Sequence, residues 1–167
     1  MKPFNFMKWI DEHRDLLKPP VGNKVVFKDS TFIVMVVGGP NSRTDFHINQ
    51  TDEFFYQIEG EMNLRTVKNN EFVDVPIKAG EVYMLKAGTP HSPQRFEKSI
   101  GMVVEKTREE GEMDSLVWFC KKCCHKLYSE RFHLTNIETQ FGAVFDRYYG
   151  SEHTKCPKCN TVTDRSW

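Results

Sequence analysis

The stretch HINQTDEFFYQIEG at residues 47–60 decides the reading of this chain. It opens on His47, reaches Glu53 after five intervening residues, and then runs through a β-rich segment to Gly60. Downstream, GEVYMLKAGTPHSPQR at 80–95 again combines a short β-rich run, a glycine turn and a histidine, His91. His47, Glu53 and His91 thus fall at the turn-proximal ends of predicted strands, and each is a borderline or hard metal ligand. Two imidazoles and one carboxylate leave three positions open on an octahedral Fe(II), enough for a bidentate ligand and O2 together. Any one of these residues alone reads as an ordinary surface or hydrogen-bonded side chain. Their shared spacing raises them to a candidate metal site. His13, His125, His133 and His153 have no such context and read as structural or surface residues.

Outward from this stretch the pattern stays β-rich. Short runs recur as VVF 25–27, FIVMVV 32–37, EFFYQIEG 53–60, EMNLRTV 61–67, EFVDVPI 71–77, VYML 82–85 and GMVVEK 101–106. Turns at Gly38-Gly39-Pro40, Asn69-Asn70, Ala79-Gly80 and Gly88-Thr89-Pro90 separate them every ~8–12 residues, the rhythm of an all-β sandwich or barrel. Before the strands, Phe6, Trp9, Ile10, Leu16 and Leu17 predict a short amphipathic helix, capped by Asn5 and stopped by Lys18-Pro19-Pro20. After them, Thr107-Arg108-Glu109-Glu110-Gly111-Glu112 reads as a charged linker, dividing a barrel unit at 1–112 from a tail at 113–167. In the tail, Ile137, Phe141, Val144, Phe145 and Tyr148 predict a helix from Asn136 to Tyr149, with Asn136 capping its start and Gly150 its end.

The tail holds all five cysteines. Cys120-x2-Cys123 and Cys156-x2-Cys159, 32 residues apart, can present four thiolates to one tetrahedral ion, either Zn(II) or Fe. Four protein ligands close the coordination sphere, so this second site reads as structural, a cross-link for a tail too small to bury much core. Cys124 is left over.

The 167 residues balance 23 Lys+Arg against 23 Asp+Glu, and the tail has no dense basic stripe, which argues against nucleic acid as a partner. With 39% hydrophobic residues the chain has material for a core. No run approaches the ~18–20 apolar residues of a membrane span, and charges interrupt the N-terminus where a signal peptide needs its apolar core. A cytoplasmic protein with no membrane partner is expected, so the sequon Asn49-Gln50-Thr51 reads as chance.

The two motifs, His47-x5-Glu53-x6-Gly60 and Gly80-x5-Lys86-x-Gly88-x2-His91-x3-Arg95, resemble those of the cupin family. Three positions depart from the family pattern: Asn49 stands where many cupins have another histidine ligand, Lys86 replaces a proline, and Arg95 replaces a common asparagine. More specifically, LLKPPVGN 16–23, VVGGPNSRTDFH 36–47, EFFYQIEG 53–60, PHSPQR 90–95, VVE 103–105 and the two cysteine pairs are similar to the 3-hydroxyanthranilate 3,4-dioxygenases, in the short form with a rubredoxin-like tail. The resemblance implies a double-stranded β-helix (jelly-roll) barrel with an N-terminal helix and a small tail containing one helix. It further implies a non-haem Fe(II) enzyme that opens the ring of 3-hydroxyanthranilate with both atoms of O2. The product, 2-amino-3-carboxymuconate semialdehyde, cyclises to quinolinate, which places the step in tryptophan catabolism by the kynurenine route and in NAD biosynthesis. By resemblance His47, Glu53 and His91 hold the iron; Arg43, Arg95 and Glu105 are catalytic groups that contact substrate; and Asn23 and Phe55 line the pocket. A homodimer is implied too, with Trp9 and the first helix either at its contact or covering the barrel. The competing readings are a cupin dioxygenase for another catechol or aminophenol, a ligand-sensing regulator that binds nucleic acid through its tail, and a non-catalytic sugar- or metal-storage cupin.

Overall fold

The structure, a computed structural model, describes residues 2–18, 22–27 and 30–165. The expected proline stop at Pro19-Pro20, and Val21 of the loop after it, lie outside the described residues. Among the described residues eleven strands form two antiparallel sheets. The five-stranded sheet has the order β1 (Asn23–Val25), β2 (Phe32–Gly38), β9 (Ile100–Lys106), β4 (Glu53–Glu59), β7 (Val82–Leu85). The six-stranded sheet runs β11 (Lys126–Phe132), β10 (Asp114–Phe119), β3 (Asp45–Ile48), β8 (His91–Arg95), β5 (Glu61–Lys68), β6 (Glu71–Lys78).

Burial alternates along β4, β5 and β9, as expected when one face of each strand meets the core. The inward residues Met35, Phe55, Met62, Leu64, Ile77, Leu85 and Val103 form that core between the sheets. Helix α1 (Phe6–His13) starts where Asn5 Oδ1 accepts the Lys8 amide, the expected cap, and continues into a 3-10 turn over Arg14–Leu17. Ile10 and Leu17 bury against Val36 and Ile100, with Phe6 and Trp9 packed around them, so α1 covers the barrel. Arg14 fastens it by donating two hydrogen bonds to Glu59, at 2.9 and 2.7 Å.

Four strands escape the sequence reading: β3, β8, β10 and β11. Strand β8 contains Pro93, which lacks an amide donor, and it meets β3 at a single pair, His47 opposite His91. Strand β10 pairs with β3 from Ser115–Ile48 to Trp118–Asp45, so the first strand after residue 112 extends the sheet that carries His47. The expected boundary itself falls between β9 and β10, which lie in different sheets. The tail helix is shorter than the periodicity predicts. Asn136 caps a turn, accepting from the amides of Glu138 and Thr139, and helix α2 runs only from Phe141 to Tyr149, ending at Gly150 as expected. Its buried Val144 and Tyr148 pack against Leu116, Trp118 and Leu127 of the extended sheet.

Candidate metal centre and pocket

The site forms where the two sheets face each other. His47 on β3 and His91 on β8 come from the six-stranded sheet, while Glu53 on β4 and Glu105 on β9 are register partners in the five-stranded one. All four are at most 5% exposed. One ligand atom from each of His47, Glu53 and His91 lies within 4.8 Å of the others, and Glu53 Oε1 stands 3.2 Å from His91 Nε2 and 3.8 Å from His47 Nδ1.

The outer hydrogen bonds of both rings decide what the inner nitrogens offer. His91 Nδ1 lies 3.0 Å from the Thr89 carbonyl, which only accepts, so Nδ1 carries a proton and Nε2, beside Glu53, is the nitrogen that a metal would take in place of its proton. His47 Nε2 likewise donates to Asp114 Oδ2 at 2.6 Å, which leaves the Nδ1 lone pair facing inward. Two ring nitrogens and a carboxylate converging in a buried place, each imidazole held by an outer acceptor, are the donor set of a metal centre. Burial works against the Glu53 charge, but His91, His47 and Arg108 together outweigh it and hold the carboxyl below its usual range. His91 is raised in turn, Glu53 overcoming its desolvation. Asn49 donates to Glu53 at 2.7 Å and to Glu105 at 3.3 Å, fastening two carboxylates where a further imidazole is absent. At 2% exposure it is no glycosylation acceptor.

Beside this centre opens a cavity lined among others by Asn23, Arg43, Phe55, Arg95, Glu105, Ile137 and Phe141. Arg95 is 2% exposed, and its side chain donates one hydrogen bond, to Gln57 Oε1 at 3.2 Å. Among the described residues it has no ion pair, and its Nε finds no partner. Desolvation, with Arg43 adding repulsion, pulls this guanidinium down to about 10. Gly101 makes room for it, since a Cβ there would stand 2.6 Å from Arg95 Nη1. Arg43 differs: it forms a two-pronged ion pair with buried Asp45 and lies 5.7 Å from the Phe141 ring centre. Its carbonyl is gripped by Ser92 and Gln94, which gives the polar residues of PHSPQR a task. Glu105 is raised by burial and by the Glu53 charge, while Arg108 opposes the shift from 2.6 Å. Asn23 Oδ1 is buried with no partner among the described residues.

Sequence reasoning missed Arg108, Asp114, Gln57, Ile137 and Phe141. Arg108 stands in the charged run read as a solvated linker, yet its side chain is 2% exposed. Nothing in the charged run marks it, because only the fold turns Glu105 and Asp114 onto it. Ile137 was read as a helix position, and here it precedes α2 and faces the cavity.

The four predicted cysteines also come together, with Sγ atoms within 4.8 Å of one another. The two knuckles repeat one geometry: the amides of Cys124 and Asn160 donate to the carbonyls of Cys120 and Cys156, and both residues take positive φ, 52° and 58°. Cys124 is therefore the turn residue after a knuckle, its buried thiol raised by desolvation, and it stands outside the sulfur cluster. The Thr161 hydroxyl and amide pull Cys159 down to about 6.

A profile of the 3-hydroxyanthranilic acid dioxygenase family matches residues 1–149. The chain belongs to this family. It is 52% identical over 158 residues to a 3-hydroxyanthranilate 3,4-dioxygenase of Xanthomonas euvesicatoria pv. vesicatoria, covering 94% of this chain and 89% of that one. A relative of the same name from Brucella anthropi is 46% identical over 166 residues, covering 97% and 91%. The fold is that of the cupins: a solved cupin-2 domain protein from Shewanella frigidimarina superposes with a TM-score of 0.50 at 20% identity, over 62% of this chain and 93% of that one. No helix among the described residues is long and apolar enough to cross a membrane.

Proposed function

We propose that this chain is a dioxygenase that opens the ring of 3-hydroxyanthranilate, with Fe(II) held by His47, Glu53 and His91. The single observation that carries the substrate is Arg95: a buried guanidinium facing the cavity without a carboxylate partner matches a ligand that brings its own. A planar fork suits a carboxylate in two-point contact, which a lysine cannot reproduce. Family membership and the names of the relatives agree with this choice.

Held by His47, Glu53 and His91, Fe(II) would supply the redox chemistry with O2 and a Lewis acid favouring the phenolate form of the substrate. The chain does the rest. Arg95 and Arg43 orient the carboxylate, and Phe55 and Phe141 wall the ring. Glu105, set across the sheet from Glu53, accepts a hydrogen bond from the amino and hydroxyl edge, and its raised affinity for a proton suits it to take one from that edge and return it. The partnerless Asn23 Oδ1 offers a further acceptor at the pocket wall. Burial of the four site side chains keeps competing water out. The cysteine site holds Zn(II) or Fe as a structural cross-link for the tail unit at 113–167, whose strand β10 extends a sheet of the barrel unit at 1–112. A cytoplasmic homodimer completes the proposal, its stoichiometry read by sedimentation velocity.

The test is O2 uptake after anaerobic Fe(II) loading. Uptake with 3-hydroxyanthranilate, and much weaker uptake with 2-aminophenol at equal low concentration, supports the proposal. Equal uptake with both removes the carboxylate from recognition, and none with either rejects the activity.

A further inference from the structure

Arg108 and Asp114 lie beyond the metal ligands yet join the two halves of the site. Asp114 is the first residue of β10, and its Oδ2 accepts both from His47 Nε2 and from Arg108 Nη2, each at 2.6 Å. Arg108 Nε donates to Asp114 Oδ1 at 2.8 Å, which makes the pair two-pronged. The remaining arm, Nη1, reaches the Lys106 carbonyl at 2.7 Å and Glu105 Oε2 at 2.6 Å. Glu105 is tied through Asn49 to Glu53, which closes the circuit at the His47 and His91 rings. The Arg108 and Asp114 side chains are 2% and 1% exposed. Two charges so deeply buried are costly unless well paired, and here each hydrogen bond also fixes the orientation of a group in the site.

We infer that Asp114 and Arg108 are positioning residues: Asp114 holds His47 in the tautomer and ring orientation that turn Nδ1 toward the metal, and Arg108 locks Asp114 and Glu105 in place. The inference rests on the assignment of His47, Glu53 and His91 as the metal ligands. Its chemistry is simple. A carboxylate without a proton only accepts, so Asp114 obliges His47 to carry its proton on Nε2. Without that acceptor the imidazole is released to hold its proton on Nδ1, where it blocks ligation. Strand β10 runs from Asp114 to Phe119, directly before Cys120, so a single strand spans from the acceptor of His47 to a thiolate of the closed site. The tail thereby supplies one wall of the metal centre's outer shell, although all three ligands belong to the barrel.

The experiment is a Co(II) titration of the full-length protein, read by its visible absorption. Co(II) on cysteines shows thiolate charge-transfer bands, and Co(II) on the His/Glu site does not, so the two sites are counted separately. D114A is expected to raise the dissociation constant of the His/Glu site ~10–100-fold, the usual effect of removing an outer partner of a ligating histidine. V117A, which trims a buried side chain of the same strand, should lower the melting temperature yet leave that constant within about twofold. D114N keeps an acceptor but loses the charge, and should fall between; it decides the matter if D114A does not fold. For Arg108, the fully metal-loaded R108Q enzyme should show KM raised at least about fivefold with a smaller change in kcat, as Glu105 loses its anchor. Unchanged affinity in folded D114A, or in D114N where only that variant folds, overturns the role of Asp114, as does equal weakening by V117A. Unchanged KM in R108Q removes Arg108. H47A separates the layers: if it binds Co(II) like the wild type, the ligand assignment itself fails, whereas loss in H47A beside full binding in D114A sinks only the positioning role.

Discussion

The two metal-ligand clusters of this molecule are built on opposite plans. The cysteine cluster draws four sulfurs from two matched knuckles, and its geometry is local: each knuckle is a short turn closed by its own backbone hydrogen bonds. The His/Glu cluster draws its side chains from three strands in two sheets, and Thr89, Asp114 and Asn49 form an outer layer of hydrogen bonds around them. A closed set of four ligands can only fasten, whereas three ligands beside a cavity leave room for chemistry. The difference teaches where function sits, and it also shows cost. The open site buries charges that must be cross-paired between strands of both sheets, while each cysteine knuckle is closed by its own backbone.

The widest break in this comparison comes from removing ligands. H47A, E53A or H91A should each abolish measurable turnover and lose the iron of that site while the far-ultraviolet circular dichroism spectrum is kept, because the barrel closes through its strand ladders. Full iron stoichiometry in any of the three, measured by elemental analysis after desalting, excludes that residue from the triad. Replacing Cys120, Cys123, Cys156 and Cys159 together with serine should act in the other order, on folding first. Loss of a structural metal removes much of a small unit's folding energy, so early tail proteolysis and a lowered melting temperature are expected. Because Ile137 and Phe141 of the tail wall the cavity, KM should rise as well. A tail that resists protease as well as the wild type does would deny the cysteine site its fastening role.

A finer contrast lies within the pocket, between its two arginines. R95A should weaken substrate binding by about 1.5–3 kcal/mol, roughly one to two decades, the scale of a hydrogen bond to a charged group. R43A should cost less, since Asp45 already shares that guanidinium. Anaerobic calorimetry with 3-hydroxyanthranilate and 2-aminophenol checks both, and equal losses for the two ligands contradict a carboxylate clamp. The smallest effect is expected away from both metals: R14A breaks a half-exposed pair with Glu59 and should cost no more than about 1 kcal/mol of stability, read by urea denaturation.

Much of this was legible in the sequence because it is written in local spacing. His47, Glu53 and His91 sit at motif intervals, and the paired C-x-x-C knuckles announce themselves. The strands of the barrel core show as short β-branched and aromatic runs. Strand β8 did not, because PHSPQR has neither apolar alternation nor an unbroken set of amides, and its role is set by what it brings beside His47. Arg108 was illegible for a related reason. In TREEGE it looks like every other solvated charge, and only the fold reveals that Glu105 and Asp114 enclose it. Asn136 illustrates a subtler failure: a good capping residue marks a turn as readily as a helix, and here the helix waits until Phe141. Cys124 resolves only in three dimensions, as the positive-φ residue that matches Asn160.

The central claim is that the open His/Glu cluster performs ring cleavage with O2. It is tested most directly by turnover under isotopic oxygen. Protein loaded anaerobically with Fe(II) is given 3-hydroxyanthranilate under 18O2, and the ring-opened product is trapped by reduction before it cyclises or exchanges oxygen with water, then weighed by mass spectrometry. The account predicts that both atoms of one O2 appear in each product molecule and that E53A yields no labelled product. Product carrying a single labelled atom, or full labelling in E53A, would contradict it.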